Sequence, residues 1–147
     1  MKATITEIID APIDNVWAIV SDFPGLMRWH PMVECCEATG QGVGALRTVH
    51  FTDWWAVERL EVLDAETHVL GYAITDCSRP ENIGVTGRIT LSQAAPGRTC
   101  IEWVAGLEAG NEHAEVINAA LLAYYPIRIG HLRTALDLAV HIRFFTK

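Results

Sequence analysis

Basic residues are scarce in this chain. It holds 11 Lys and Arg against 18 Asp and Glu, a formal net charge of −7. With no Lys/Arg cluster either, nucleic acid is a poor partner, because phosphate neutralisation supplies most of that affinity. Anionic membrane surfaces are excluded on the same ground. No apolar run reaches the ~18–20 residues of a membrane span. The opening Met1-Lys2-Ala3-Thr4-Ile5-Thr6-Glu7 alternates apolar and polar residues and lacks the apolar core of a secretion signal. A cytoplasmic location without membrane insertion is therefore expected. Cysteine is limited to Cys35, Cys36, Cys77 and Cys100, two of them neighbours and none in a CxxC pair. That argues against a disulfide framework and more strongly against a zinc site. The six histidines show neither HxH nor HExxH spacing, so no metal is expected. GxGxxG, P-loop and GxSxG motifs are all missing, which leaves no cofactor and no nucleophile motif.

What is present is apolar. Half of the 147 residues are hydrophobic and a fifth are charged, the composition of a globular chain rather than a disordered one. Without repeat, low-complexity tract or linker, residues 1–147 read as a single domain. Residues 3–9 alternate and predict a first strand anchored by Ile5 and by Ile8 or Ile9. Asp10-Ala11-Pro12-Ile13-Asp14 predicts a helix start, with Asp10 as cap and Val16, Trp17, Ile19 and Val20 as apolar face. Ser21 to Gly25 breaks that helix, and a second short one is expected from about Gly25 to Trp29. Period-two segments follow near 33–39, 44–51, 54–64, 68–76, 83–93 and 98–108, separated by turn residues. They predict an antiparallel meander with one face to be covered.

The cover is at the C-terminus. Val116, Ala120, Leu121, Tyr124, Ile127, Leu132, Leu136 and Val140 recur at helical spacing between about Asn111 and Phe144, with Asn111 as N-cap. Pro126 is expected to kink or divide this helix near Tyr125. The architecture is thus α+β: seven strands in a curved antiparallel sheet around a long C-terminal helix, with two short helices after the first strand. The small strand residues Ala45, Ala56, Gly71, Ala73, Gly84 and Gly87 suggest an internal cavity, although glycines also serve bulges and bends.

Three segments carry a likeness. Ile9-Asp10-Ala11-Pro12-Ile13-Asp14-Asn15-Val16-Trp17, Trp29-His30-Pro31 and Glu58-Arg59-Leu60-Glu61-Val62-Leu63-Asp64 resemble the helix-grip superfamily. That group includes START and birch-pollen-allergen-like proteins, bacterial polyketide cyclases/dehydrases and plant abscisic-acid receptors. The element order matches along the whole chain. The resemblance implies that His30 stands where the receptors anchor a ligand carboxylate with lysine. It also implies that Glu58 and Glu102 stand at cavity-facing carboxylates. The receptors' Ser-Gly-Leu-Pro-Ala gate is absent, replaced by His50-Phe51-Thr52-Asp53-Trp54-Trp55, and their His-Arg-Leu latch is replaced by Ser78-Arg79-Pro80. A gated hormone switch is not supported.

Each candidate residue has two readings. His30, beside Trp29 and held extended by Pro31, either donates to an anion and moves protons near neutral pH or packs on Trp29 as a loop histidine. Glu58 shares parity with Ala56 and Leu60, and Glu102 with Cys100 and Val104, so each faces in or out together with its set. Alternation alone does not choose, and the resemblance favours inward. Asp53 with Trp54 and Trp55 is either a lid at a hairpin tip or an ordinary turn. Tyr72 offers a ligand-binding hydroxyl or fills core. Arg79 pairs with a ligand anion at the rim or lies free in a loop. Tyr125, Ile129 and Arg133 share a helix face toward the cavity floor, and Phe51 and Trp29 flank its mouth.

The expected function is a cofactor-free enzyme of the polyketide cyclase/dehydratase kind, with His30 as acid or base and Glu58 or Glu102 as partner, acting on an apolar or aromatic molecule. The alternative is a non-catalytic carrier of the same ligand class. A third reading takes Trp54, Trp55 and an outward Trp103 as a partner surface, with a homodimer as one form.

Overall fold

In a computed structural model the backbone is described for residues 1–146 and the side chains for residues 1–139. Val140, the last residue of the expected helical stripe, has a side chain outside the described residues. Strand β1 (Ala3–Ile9) leads into helix α1 (Ile13–Val20) and a 3-10 segment (Phe23–Arg28). Strands β2 (Cys35–Thr39), β3 (Leu46–His50), β4 (Trp55–Asp64), β5 (Val69–Cys77), β6 (Thr86–Ala95) and β7 (Arg98–Gly106) follow, and α2 (Ala114–Thr146) closes the fold. The sheet order is β1-β7-β6-β5-β4-β3-β2, antiparallel throughout. The expected meander is thus present, with β1 paired to β7.

The curved sheet bends where its ladder breaks. Register shifts fall between Val57 and Glu58, between Leu60 and Val62, and between Gln93 and Ala95. Such irregularities bend and twist a strand locally. The concave face buries Ile5 and Ile9 of β1, Val49 of β3, Leu60 of β4, Leu70 of β5, Leu91 of β6 and Ile101 of β7. Ile129, Leu132 and Leu136 of α2 pack against it. Asn118 fastens the other end of α2: its Oδ1 accepts from the Leu107 N–H at 2.8 Å, and its Nδ2 donates to the Leu107 and Met1 carbonyls, each at 3.0 Å.

Three local expectations change. Pro12, not Asp10, occupies the N-cap of α1 without a side-chain cap bond, and Asp10 pairs with Arg98 at 2.9 Å instead. Pro126 sits inside an undivided α2, on its exposed side. The buried stripe of α2 is also rotated: Val116 and Ile127 face solvent, while Ala114, Ile117, Asn118, Tyr125, Arg128, Ile129, Leu132 and Leu136 are buried. Both sets obey helical spacing. The true inner face includes Asn118 and Arg128, polar residues that an apolar pattern leaves out.

Candidate functional site

A cavity of about 250 Å³ lies between the concave sheet and the middle of α2, just below the ~300–1,000 Å³ usual for ligand cavities. Aromatic rings wall it. Trp103 of β7 stacks on Tyr125 of α2 at 4.0 Å between ring centres, and Trp29 packs 6.3 Å from Trp103. The Tyr72 hydroxyl of β5 meets the Tyr125 hydroxyl at 2.9 Å. Tyr72 needs the missing side chain at Gly87: a Cβ there would run into its ring. One of the small strand residues therefore makes room for an aromatic ring, not for a ligand. Burial pushes both phenols above their ordinary range, so both stay protonated.

The mouth is built by two loops. Phe51 stacks on Trp54 at 4.1 Å across the β3–β4 turn, and the Arg79 guanidinium lies 4.8 Å from the Trp54 ring centre. Trp54 thus lines this rim, and Trp103 points inward rather than outward, so the expected tryptophan surface keeps only the half-exposed Trp54 and Trp55.

Charges sit deeper. Arg47 of β3 is buried, donates from Nε to Glu58 Oε1 of β4 at 2.7 Å and from Nη1 to the Phe23 carbonyl at 2.9 Å, and covers the Phe23 ring at 4.0 Å. Arg47 and Glu58 are direct neighbours in the β3–β4 register. Arg128 of α2 is 4% exposed, lies 3.8 Å over the Tyr124 ring, and places Nη1 3.0 Å from His131 Nδ1. Among the described residues its Nε has no hydrogen-bond partner, and neither does the buried His30 Nδ1, while the buried Trp103 indole N–H faces the Tyr72 hydroxyl. Burial, followed by the charges of Arg128 and His131, pushes the His30 imidazole from its ordinary 6.5 down to about 3. The ring is neutral near pH 7.

Eight expected site residues come together here: Trp29, His30, Phe51, Trp54, Glu58, Tyr72, Arg79 and Tyr125 all line the cavity. Others do not. Glu102 is exposed on the convex face, because Ile101 and Trp103 on either side of it are the buried pair. Asp53 is exposed at the turn and outside the lining. Ile129 is fully buried core rather than cavity wall. Arg133 turns to β1, bonding Glu7 at 2.8 Å and the Ile8 carbonyl at 2.8 Å. With its imidazole neutral near pH 7, His30 is not the charged acid of the expected pair, and its lowered pKa makes it a weak base.

Arg47, Trp103, Tyr124 and Arg128 line the cavity and were not foreseen. Arg47 had a signal: it shares strand parity with Ala45 and Val49, both buried. Arg128 follows Tyr125 by three residues, one helical turn on the same face.

A curved sheet gripping one long helix around an aromatic-walled cavity defines the helix-grip class of ligand-cavity folds. Within it, the chain belongs to the family described as polyketide cyclase / dehydrase and lipid transport, matched over residues 1–137. Abscisic acid receptors PYL6 and PYL7 of Arabidopsis thaliana are similar at 27% identity over 79 residues and 32% over 77. Each match takes in 49% of this chain and 37% or 36% of the receptor, so the chain spans well under half the length of these relatives. Among solved structures, a protein from Nitrosospira multiformis matches with TM-score 0.74 at 19% identity, covering 92% of this chain and 96% of that one. XoxI from Bacillus cereus matches with TM-score 0.74 at 23% identity, covering 95% and 99%. These likenesses show the fold. Among the described residues no helix is long and apolar enough to cross a membrane, and no cluster of metal-ligating side chains is found.

Proposed function

We propose that this protein binds one small, compact apolar or aromatic molecule in its internal cavity, as a carrier or binding protein. One observation carries the reading: two buried polar atoms, His30 Nδ1 and Arg128 Nε, have no hydrogen-bond partner among the described residues, and both residues line the same cavity. Buried polar groups are nearly always hydrogen-bonded, so a guest with polar atoms completes this site. The aromatic walls supply apolar contact and the polar atoms fix orientation. The modest volume favours a compact ring system over a long acyl chain. The similar plant proteins are named as receptors for a small molecule, abscisic acid.

Catalysis of the cyclase or dehydratase type is the second reading. The acid–base pair expected from the sequence does not support it: His30 is neutral, Glu58 is engaged by Arg47, and Glu102 is outside. The Tyr72–Tyr125 pair does support it. In that pair one neutral phenol donates to the other, and the accepting phenol keeps its own O–H to donate to an enolate-like oxygen as charge develops.

Native mass spectrometry of protein purified from its own source, then mass analysis of the denatured extract, tests both. The expected result is one bound small molecule per chain. Incubation with that molecule's precursors then separates carrier from enzyme. Protein that carries nothing and takes up no aromatic probe would overturn both readings.

A further inference from the structure

The chain is acidic overall, yet its cavity is basic. Three arginines, Arg47, Arg79 and Arg128, line it against a single carboxylate, Glu58. Glu58 is spent on Arg47 at 2.7 Å. Arg79 lies at the exposed rim against Trp54. Arg128 is buried and has no acidic partner among the described residues. A buried charge without a counterion is costly. The ring beneath it and the neutral imidazole of His131 soften that cost without cancelling the charge.

The free part of Arg128 has a definite shape. Its Nη1 is engaged by His131, while Nε has no partner and Nη2 makes no hydrogen bond among the described residues. Nε–H and Nη2–H form one edge of the guanidinium, with two parallel donors at the spacing of a carboxylate's two oxygens. We propose that the cavity's ligand is a compact aromatic monocarboxylate, whose carboxylate is held side-on by the Nε/Nη2 edge of Arg128 on the long helix. The inference rests on the ligand-binding reading above and adds the chemical class and the anchor. It moves the anchor from the loop residue His30 to α2. One uncompensated positive charge calls for one negative charge, which favours a carboxylate over a phosphate dianion. His30, with Nδ1 unpartnered in the same cavity, is a second, neutral contact for the ligand.

The test is a matched series measured by titration calorimetry: benzoate, trans-cinnamate and 1-naphthoate, their carboxamides, and 1-naphthyl phosphate. Ring and size are held constant while charge changes. At least one carboxylate should bind tenfold or more tighter than its amide, and Arg128→Met should abolish that preference. The same substitution should raise the thermal midpoint of the ligand-free protein, since it removes an unpaired buried charge; an arginine kept for structure alone would lower it. Amides that bind as tightly as carboxylates would overturn the anion assignment and leave the cavity reading standing. A preference for the phosphate would overturn the monocarboxylate class, and a carboxylate preference that survives Arg128→Met would overturn the anchor. If no member of the series binds, the inference and the cavity reading fall together. The wild-type comparison decides the charge question even if Arg128→Met does not fold.

Discussion

Burial and the basic groups around it hold His30 neutral, outweighing a contact with its own backbone that favours the proton. Burial acts first, then Arg128 and His131 from α2, with Arg47 from β3 adding to them. Its folded value of about 3 lies below the ordinary 6.5. Between those values the unfolded chain binds a proton that the folded one refuses, so stability is full above pH 6.5 and falls as pH drops toward 3. Near pH 5 the loss from this one group is about 2 kcal/mol relative to pH 7.5. His131 is lowered too, by burial and then Arg128, and adds in the same direction. Urea midpoints at both pH values should therefore differ less in His30→Asn than in the wild type; equal differences would mean that the ring is not held neutral. Residue identity alone showed His30 as a candidate, since a histidine between Trp29 and Pro31 draws notice. Its protonation state was not legible, because the groups that set it come from β3 and α2, far along the chain.

The resemblance implied that Glu58 and Glu102 both face inward; Glu58 lines the cavity and Glu102 faces solvent, and alternation could not tell the two cases apart. Parity sorts a strand into two faces without saying which is inner. On β4 the set holding Ala56, Glu58 and Leu60 turned inward; on β7 the inward set was Ile101, Trp103 and Ala105. The partner strand resolves it, since Arg47 stands directly opposite Glu58. On α2 the difficulty is a polar inner face. Asn118 and Arg128 belong to the buried stripe, so an apolar pattern settled on a neighbouring one. Pro126 lies on the outer side of that helix. It takes away the N–H that would bond the Leu122 carbonyl, and interior prolines cost up to ~3 kcal/mol. Pro126→Ala should stabilise the protein by about 1–3 kcal/mol, read as a thermal midpoint several degrees higher. A lower midpoint would mean that the proline's local geometry seats Tyr125 and Arg128 against the sheet.

At the scale of the molecule, the cavity couples ligand to fold. Sheet and helix both line it, so a guest that binds there contacts both. A ligand present at about 100 times its dissociation constant adds ~2.7 kcal/mol to the folded state. For a chain of this size that raises the thermal midpoint by roughly 5–10 °C. Differential scanning calorimetry with the molecule extracted from the native protein checks this; an unchanged midpoint at saturation would mean that the molecule does not bind the folded state in preference to the unfolded one. Charge is divided by depth as well. The net charge of −7 keeps polyanions away from the surface, while the arginines inside favour a single small anion.

By itself, the sequence determined the architecture: period-two segments, turn residues and one long apolar helix admit few other arrangements, because each pattern must bury its own face. It also determined which loops border the mouth, since Trp29, Phe51, Trp54 and Arg79 stand between elements. Tertiary structure alone decided the chemistry of the interior. Whether a carboxylate faces in, whether an imidazole holds a proton and whether an arginine lacks a counterion are relations between β3, β4, β7 and α2. Those relations come from burial and distance, which exist only once the sheet has closed on the helix.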